Sequence, residues 1–356
     1  MNDNFDLANL ALQSVCPSNC FEYDDKGMPS VMVKIPRMSW AELGVGTSTE
    51  PFPAFVNGTT VKNYITIGKY LSITHNGRAY SLPGRDPAHD IDYDEAFTAC
   101  KSKGGKWHLP TRLEWMAVAL WCLKNGKQPK GNTNWGVDHE KGIHEAIHSP
   151  DWSCGRTLTG TGPVSWRHNN ELSGICDMNG NIYEWVAGMR LVYGELQVLS
   201  RDGTFDNCAE DTSLSVADDS PYWYAIDGTT GNLIRPNGSG TTANSIKLSW
   251  VDNHWRWTTG TIVKVANYGH STFFATDTDS TISDAAKLKL IALGCIKPDT
   301  LTVDPGDEFW ARNQEAERLP LAGGTWNDGA RCGLFALNLY SPRSYRGWNV
   351  GFRSAL

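Results

Sequence analysis

Apolar and polar positions along the first third of the chain follow two different periods, and each period predicts a different element. VMVKIPRM (Val31 to Met38) is a short β-rich segment closed by Pro36, and YITIGKYLSIT (Tyr64 to Thr74) alternates as a half-buried strand does. Two later stretches carry helical grammar. In Asp92-Tyr93-Asp94-Glu95 the Asp92 side chain is placed to accept from the Glu95 N–H while Glu95 reaches back. Ala96, Ala99 and Cys100 then form one apolar face, and Gly104-Gly105 stops the helix. Thr111 and Glu114 repeat the capping box, with Trp115, Val118, Ala119 and Cys122 as the buried stripe and Asn125-Gly126 as the end. Residues 1–27 begin with an apolar, helix-compatible stretch and end in the polar Glu22 to Gly27, an N-terminal appendage to a domain spanning 28–356. From Gly131 the chain is mostly turns (GNTNWG, GTGPVSW, DMNGNIYEW). A stretch from about 200 to 307, rich in Thr, Asp, Gly and Asn, reads as a large insertion with one helix-like run, Ser283 to Leu293. Gly323 to Leu356 returns to short strands and turns. Two helices, scattered short strands and abundant loops predict a mixed α+β fold.

Composition sharpens this. The 356 residues include 35 Gly, 15 Trp and 12 Tyr, a usage that favours loop-rich folds whose indoles fill gaps between turns, or surfaces that use rings as contacts. The net charge is −7 and no block of Lys or Arg interleaves with aromatics, which argues against nucleic acid as a partner. No apolar run approaches the roughly 18 residues that span a bilayer, so no membrane insertion is expected. The start, MNDNFDLANLALQSV, is acidic where a signal peptide is basic, so synthesis in the cytoplasm is expected. Nine cysteines lie apart without a CxxC pair, which reads as a reducing compartment with buried, inert thiols.

Four blocks in order carry a resemblance: WHLPTRLEW (Trp107 to Trp115), GICDMNGNIYEWV (Gly174 to Val186), GGTW (Gly323 to Trp326) and NVGFR (Asn349 to Arg353). They resemble the signature blocks of the formylglycine-generating-enzyme-like (sulfatase-modifying factor) branch of the C-type lectin fold. GNTNWG, AGMRLVYGELQVL and WNDGARCGLFALNLYSPRSYRGWNVGFRSAL are similar to a narrower group, the variable proteins diversified by retroelements in bacteriophages and their bacterial hosts. The resemblance covers about 28–200 and 308–356. It implies a C-type lectin-like domain with a variable region at about 325–353, in which a template-copying reverse transcriptase replaces adenines of asparagine codons. Thr325 to Leu356 contains no Lys, Glu, Gln or Met, residues that AAC and AAT cannot become by adenine changes alone.

The resemblance also implies sites. In the oxidase members two cysteines bind copper and carry the substrate thiol, at the second and seventh residues after the aromatic of the GGxW-type block. Here those positions are Asp328 and Gly333, and Cys332 stands nearby alone, so a catalyst is not expected. A structural Ca2+ of the family falls on Asp177, Gly180, Ile182 and Glu184. The alternative is that Asp177 and Asn179 make Asx turns and Glu184 pairs with an arginine. His144-Glu145-x-x-His148 has the zincin pattern, but Gly142 and Pro150 bracket it within fewer than two helical turns, so a surface turn is expected. Trp326, Phe335, Leu337, Leu339, Val350 and Phe352 alternate as core, with Gly323, Gly324, Gly351 and Arg353 as scaffold. What remains is the candidate binding face: Asn327, Asp328, Ala330, Arg331, Leu334, Ala336, Tyr340, Ser341, Tyr345, Arg346, Gly347 and Trp348, in the vocabulary of antibody paratopes. Trp348 departs from the pattern, since neither asparagine codon becomes Trp by adenine changes. The resulting expectation is a binder of a cell-surface macromolecule, protein or glycan, displayed in several copies on a phage tail or bacterial surface. Oxidase chemistry and a calcium-dependent lectin are the alternatives. No EPN- or QPD-like carbohydrate motif is present.

Overall fold

The alternating segments form the first sheet. In the computed structural model, which describes residues 3–140, 146–151, 154–265 and 267–356 (backbone alone for 3–6), the strand Pro29–Pro36 pairs antiparallel with Asn19–Tyr23 and with Tyr64–Gly68. The stretch Tyr64 to Thr74 is two strands rather than one. It breaks after Gly68, whose N–H donates to the Ser354 carbonyl at 2.8 Å, and Ser72–His75 then forms a hairpin with Arg78–Ser81. A Cβ on Gly68 would meet that carbonyl oxygen at 2.9 Å, so the C-terminal residues need a glycine there to come in. Asn19–Tyr23 lies inside the stretch expected to be an appendage. The buried Asn19 accepts from the Lys69 ammonium and donates to the Ser173 carbonyl, which ties this strand into the domain. The appendage thus narrows to helix α1 (Asp3–Val15), which exposes Leu7, Leu10 and Val15.

Helices α2 (Tyr93–Lys101) and α3 (Arg112–Lys124) both start at complete capping boxes, on Asp92/Glu95 and Thr111/Glu114. Helix α3 differs from expectation in being buried nearly all round rather than along one stripe. The insertion supplies the extra cover. Its helix α4 (Asp284–Ala292), capped by Ser283, packs on α3, and the buried Arg112 donates from Nε to the Leu293 carbonyl at 2.8 Å. Most of the insertion builds a second sheet, in the order Leu233–Ile234, Trp223–Ile226, Glu195–Leu199, Lys247–Val251, His254–Thr258, Asp277–Thr278, with Met189–Val192 also on Glu195–Leu199. One insertion strand, Gly269–Thr272, joins the third sheet instead, whose order continues Glu308–Ala311, Gly333–Leu339, Leu321–Gly323, Tyr183–Trp185, Val350–Gly351. One apolar core spans all these layers, from Ile65 and Trp115 to Trp257 and Phe335. All nine cysteines are free and buried, and no helix of the described residues is long and apolar enough to cross a membrane.

A buried histidine gives this core a pH signature. His168 accepts the Ile175 N–H on Nδ1 at 2.8 Å, and burial, with the Arg353 and Lys69 charges, lowers its pKa from 6.5 to about 3. The folded chain therefore holds His168 neutral where the unfolded chain protonates it, so its stability contribution is complete above pH 6.5 and is lost as pH falls toward 3. The unfolding free energy from urea titrations should fall by about 1.4 kcal/mol per pH unit in that window through this residue. In His168→Gln that part of the slope should vanish.

Candidate ligand-binding face

The C-terminal strand Gly333–Leu339 is interior to its sheet, parallel to Glu308–Ala311 on one side and antiparallel to Leu321–Gly323 on the other. Register sets one row across four strands: His270 opposite Trp310, Trp310 opposite Asn338, Asn338 opposite Leu321. Cross-strand partners share a face of the sheet. His270 stacks on Trp310 with centroids 4.6 Å apart, and Tyr268 meets Trp310 at 5.4 Å and Tyr340 edge-on at 5.5 Å. Arg312 lies 4.5 Å over the Tyr340 ring and Arg331 lies 5.5 Å over Trp310. Over this row opens a groove of about 260 Å³, lined by Tyr183, Tyr268, Trp310, Asp328, Asn338 and Tyr340, with Ser341, Tyr345, Asn349 and the buried Leu321 and Val350. Asp328 is held at the groove by the Thr325 N–H at 3.2 Å and by a hydrogen bond from the Tyr183 hydroxyl, and burial raises its pKa.

The expected core residues Trp326, Phe335, Leu337, Leu339, Val350 and Phe352 are all buried. Of the expected face, Asp328, Tyr340, Ser341 and Tyr345 line the groove, and Arg331 reaches its wall through Trp310. Asn327, Ala330, Arg346 and Trp348 are exposed beyond it. Arg346 is turned to the start of α2, where it pairs with Asp92 and Glu95, and Trp348 sets its ring against Trp326 at 5.3 Å.

Four residues of the expected face need correction. Leu334 and Ala336 share the period of Asn338 but are buried at 1% and 2% exposure. Leu334 belongs to the main apolar core, and Asp307 packs against the start of the strand, where a Cβ on Gly333 would meet its carboxylate at 2.2 Å. Asp307, whose carboxyl burial pushes up to about 7, accepts the Phe335 N–H at 2.7 Å, and only the far end of the strand stays open. Ser341 lines the groove but is 1% exposed, its carbonyl taken by the Leu319 N–H. Gly347 is a buried turn residue whose carbonyl accepts from Asp90 and Val350. Sequence reasoning missed Tyr183, Tyr268, Trp310, Asn338 and Asn349. The two asparagines had a signal, being the residue type whose codons diversification starts from. Tyr268 and Trp310 had none, because only the pairing of the insertion strand brings them here.

The two carboxylates among the expected calcium ligands have protein partners. Both Glu184 carboxylate oxygens accept from the buried Arg353 guanidinium at 2.5 Å, and the same guanidinium donates to the Gly68 and Cys176 carbonyls. Asp177 accepts the Gly160 N–H at 2.7 Å. Gly180 and Ile182 complete a buried turn, in which a Cβ on Gly180 would meet the Asn132 carbonyl oxygen at 2.1 Å. Glu184 thus has an arginine as its partner, which is the alternative expected for that residue. Chelation should leave the melting curve unchanged, and a shift restored by added Ca2+ would contradict this. His108, Glu114 and Glu210 also place ligand atoms within 4.8 Å of one another. There, however, the Lys62 ammonium pairs with Glu210 and the Asn207 amide donates to both carboxylates, which reads as a satisfied network. Of the zincin pattern, His144 and Glu145 lie outside the described residues. His148 sits in an extended bridge with Thr157 rather than on a helix.

Residues 18–210 match the family model of the sulfatase-modifying factor enzyme 1-like domain. The chain belongs to this family. Its α+β architecture is accordingly the C-type lectin-like fold, as the four sequence blocks imply. Among solved structures it is similar to PvdO from Pseudomonas aeruginosa, at 14% identity, 94% coverage of this chain and 97% of that one, and a TM-score of 0.35. It is also similar to the U1 variant of the Major Tropism Determinant, at 12% identity, 95% and 71% coverage and a TM-score of 0.32. A third is the Treponema denticola variable protein 1, at 12% identity, 95% and 99% coverage and a TM-score of 0.31. Likeness at this level says nothing about activity. No curated protein matches the chain. Within the family, the positions of the oxidase cysteines are Asp328 and Gly333. The single Cys332 donates its thiol to the Thr325 carbonyl at 3.1 Å, and burial raises its pKa well above the usual thiol value.

Proposed function

We propose that this chain is a ligand-binding protein that presents a retroelement-diversified C-terminal face on a fixed lectin-like scaffold, and that it is not a catalyst. The observation that carries the reading is the division along residues 325–353. Trp326, Phe335, Leu337, Leu339 and Phe352 are buried in the core, while Asp328, Asn338, Tyr340, Tyr345 and Asn349 converge on one groove. Backbone position is thus set by residues that point away from the groove, and the groove residues are free to change. The oxidase alternative lacks its chemistry, since a carboxylate, a glycine and a protonated buried thiol do not replace a thiolate pair. The ligand is a cell-surface macromolecule, and the chain acts from a phage tail or a bacterial surface. One groove of about 260 Å³ offers limited contact, so single-site affinity is modest and several copies together raise the effective concentration. The triple variant Arg331→Ala, Tyr340→Ala, Tyr345→Ser should melt within a few degrees of the parent and lose cell adsorption by roughly tenfold or more. Unchanged adsorption, or collapse of the fold, would contradict the assignment of these side chains to ligand.

A further inference from the structure

The two walls of the groove differ in origin and in chemistry. Asp328, Asn338, Tyr340 and Tyr345 belong to the C-terminal segment, whereas Tyr268 comes from the insertion and Trp310 from the strand that pairs with it. The second wall lies outside residues 325–353, and its position is set by strand pairing. Trp310 is held between Gly269–Thr272 and Gly333–Leu339, with the His270 ring stacked on it at 4.6 Å. Tyr268 rests on Trp310 at 5.4 Å yet is 45% exposed, which leaves a large ring open to solvent at the edge of the groove.

Polar atoms on this side are buried or engaged. Trp310 Nε1 is buried, and the Tyr183 hydroxyl donates to Asp328. Trp310 and Tyr183 therefore offer ring carbon to an occupant, over a floor closed by Leu321 and Val350. Most of the hydroxyl and amide groups around the groove, those of Asn338, Tyr340, Tyr345 and Asn349, come instead from the C-terminal segment. A polar group that left water for the ring wall would lose hydrogen bonds that carbon cannot replace, whereas an apolar group gains by burial there. A volume of about 260 Å³ suits one bulky side chain rather than a helix or a strand. At protein interfaces a single side chain seated in such a pocket carries a large share of the binding energy.

We infer that Tyr268 and Trp310 form a constant anchor wall that takes one aliphatic or aromatic side chain of a protein ligand, while the C-terminal residues around it read what flanks that side chain. This rests on the binding-face reading above. It gives the insertion a role in the site, to supply affinity that does not depend on which residues the C-terminal segment carries.

The test is a display library of the full chain, randomised at Asn327, Arg331, Asn338, Tyr340, Tyr345 and Asn349. It is selected against four immobilised peptides of one Gly/Ser/Asn sequence that differ only at the centre, which is Phe, Leu, Ser or Ser bearing N-acetylglucosamine. The Phe and Leu peptides should yield binders, and exchanging the central Phe or Leu for Ser should cost each clone about tenfold in affinity, a reading that leaves the chain unaltered. In the same clones Tyr268→Ala should weaken binding by about tenfold and, being at an exposed position, melt within a few degrees of its parent. Tyr268→Phe and Trp310→Phe, which keep the ring faces, should stay within about threefold. Clones indifferent to the central residue or to Tyr268→Ala, or binders obtained on the glycosylated peptide alone, overturn the anchor and leave the binding face standing. A library that yields no binder to any of the four peptides removes the face itself.

Discussion

Arg353→Met should destabilise the chain by about 3–5 kcal/mol, because it leaves the Glu184 carboxylate buried with no counter-charge. Both residues are 1% exposed, and the pair joins the C-terminal segment to the strand Tyr183–Trp185. The guanidinium also donates to the Gly68 carbonyl at 3.0 Å and the Cys176 carbonyl at 3.1 Å, so its loss leaves those two acceptors unpaired as well. The double variant Glu184→Gln, Arg353→Met should recover part of the loss, since a neutral amide is far cheaper to bury than an unpaired carboxylate. Chemical denaturation of the two variants measures both effects. A single variant within about 1 kcal/mol of the parent would show that the pair does not hold the C-terminal segment in place.

Trp326→Ala should cost a similar amount, about 3–5 kcal/mol. The indole is 1% exposed and packs with Leu71, Cys154 and Ile182, and a Cβ on Gly155 would come within 2.3 Å of its ring. With Gly155 so close, the backbone has little room to collapse into the vacated space, which places the cost toward the upper end. Asn327, the next residue, is exposed. Asn327→Ala should therefore lie within about 0.5 kcal/mol of the parent. Thermal melts of the two adjacent variants contrast a core position with a surface position along one segment.

The parts legible in the sequence were local. A capping box closes over four residues, so α2 and α3 could be placed from Asp92/Glu95 and Thr111/Glu114 alone, and the period of two in Phe335, Leu337 and Leu339 identified one face of a strand. What stayed hidden depends on pairing between distant segments. Nothing local says that Glu308–Ala311 lies parallel to Gly333–Leu339, or that Gly269–Thr272 extends the sheet, yet these pairings bring Tyr268 and Trp310 to the groove. The same distance effect takes Leu334 into the main core and sheathes α3 with α4. Glu184 offered either calcium or an arginine as its partner from sequence. Only the fold brings Arg353, 169 residues away, into contact with both of its oxygens.

Diversification of residues 325–353 is tested most directly by sequencing the DNA around the coding segment. The expected result is a near-copy of the stretch encoding residues 325–356, differing mainly at adenines and lying beside a reverse-transcriptase gene. Variant codons should fall at Asn327, Arg331, Asn338, Tyr340, Tyr345 and Asn349 while those of Trp326, Phe335, Leu337, Val350 and Phe352 stay fixed. The absence of any such copy, or variation spread evenly over buried and exposed codons, would contradict a diversified binding face.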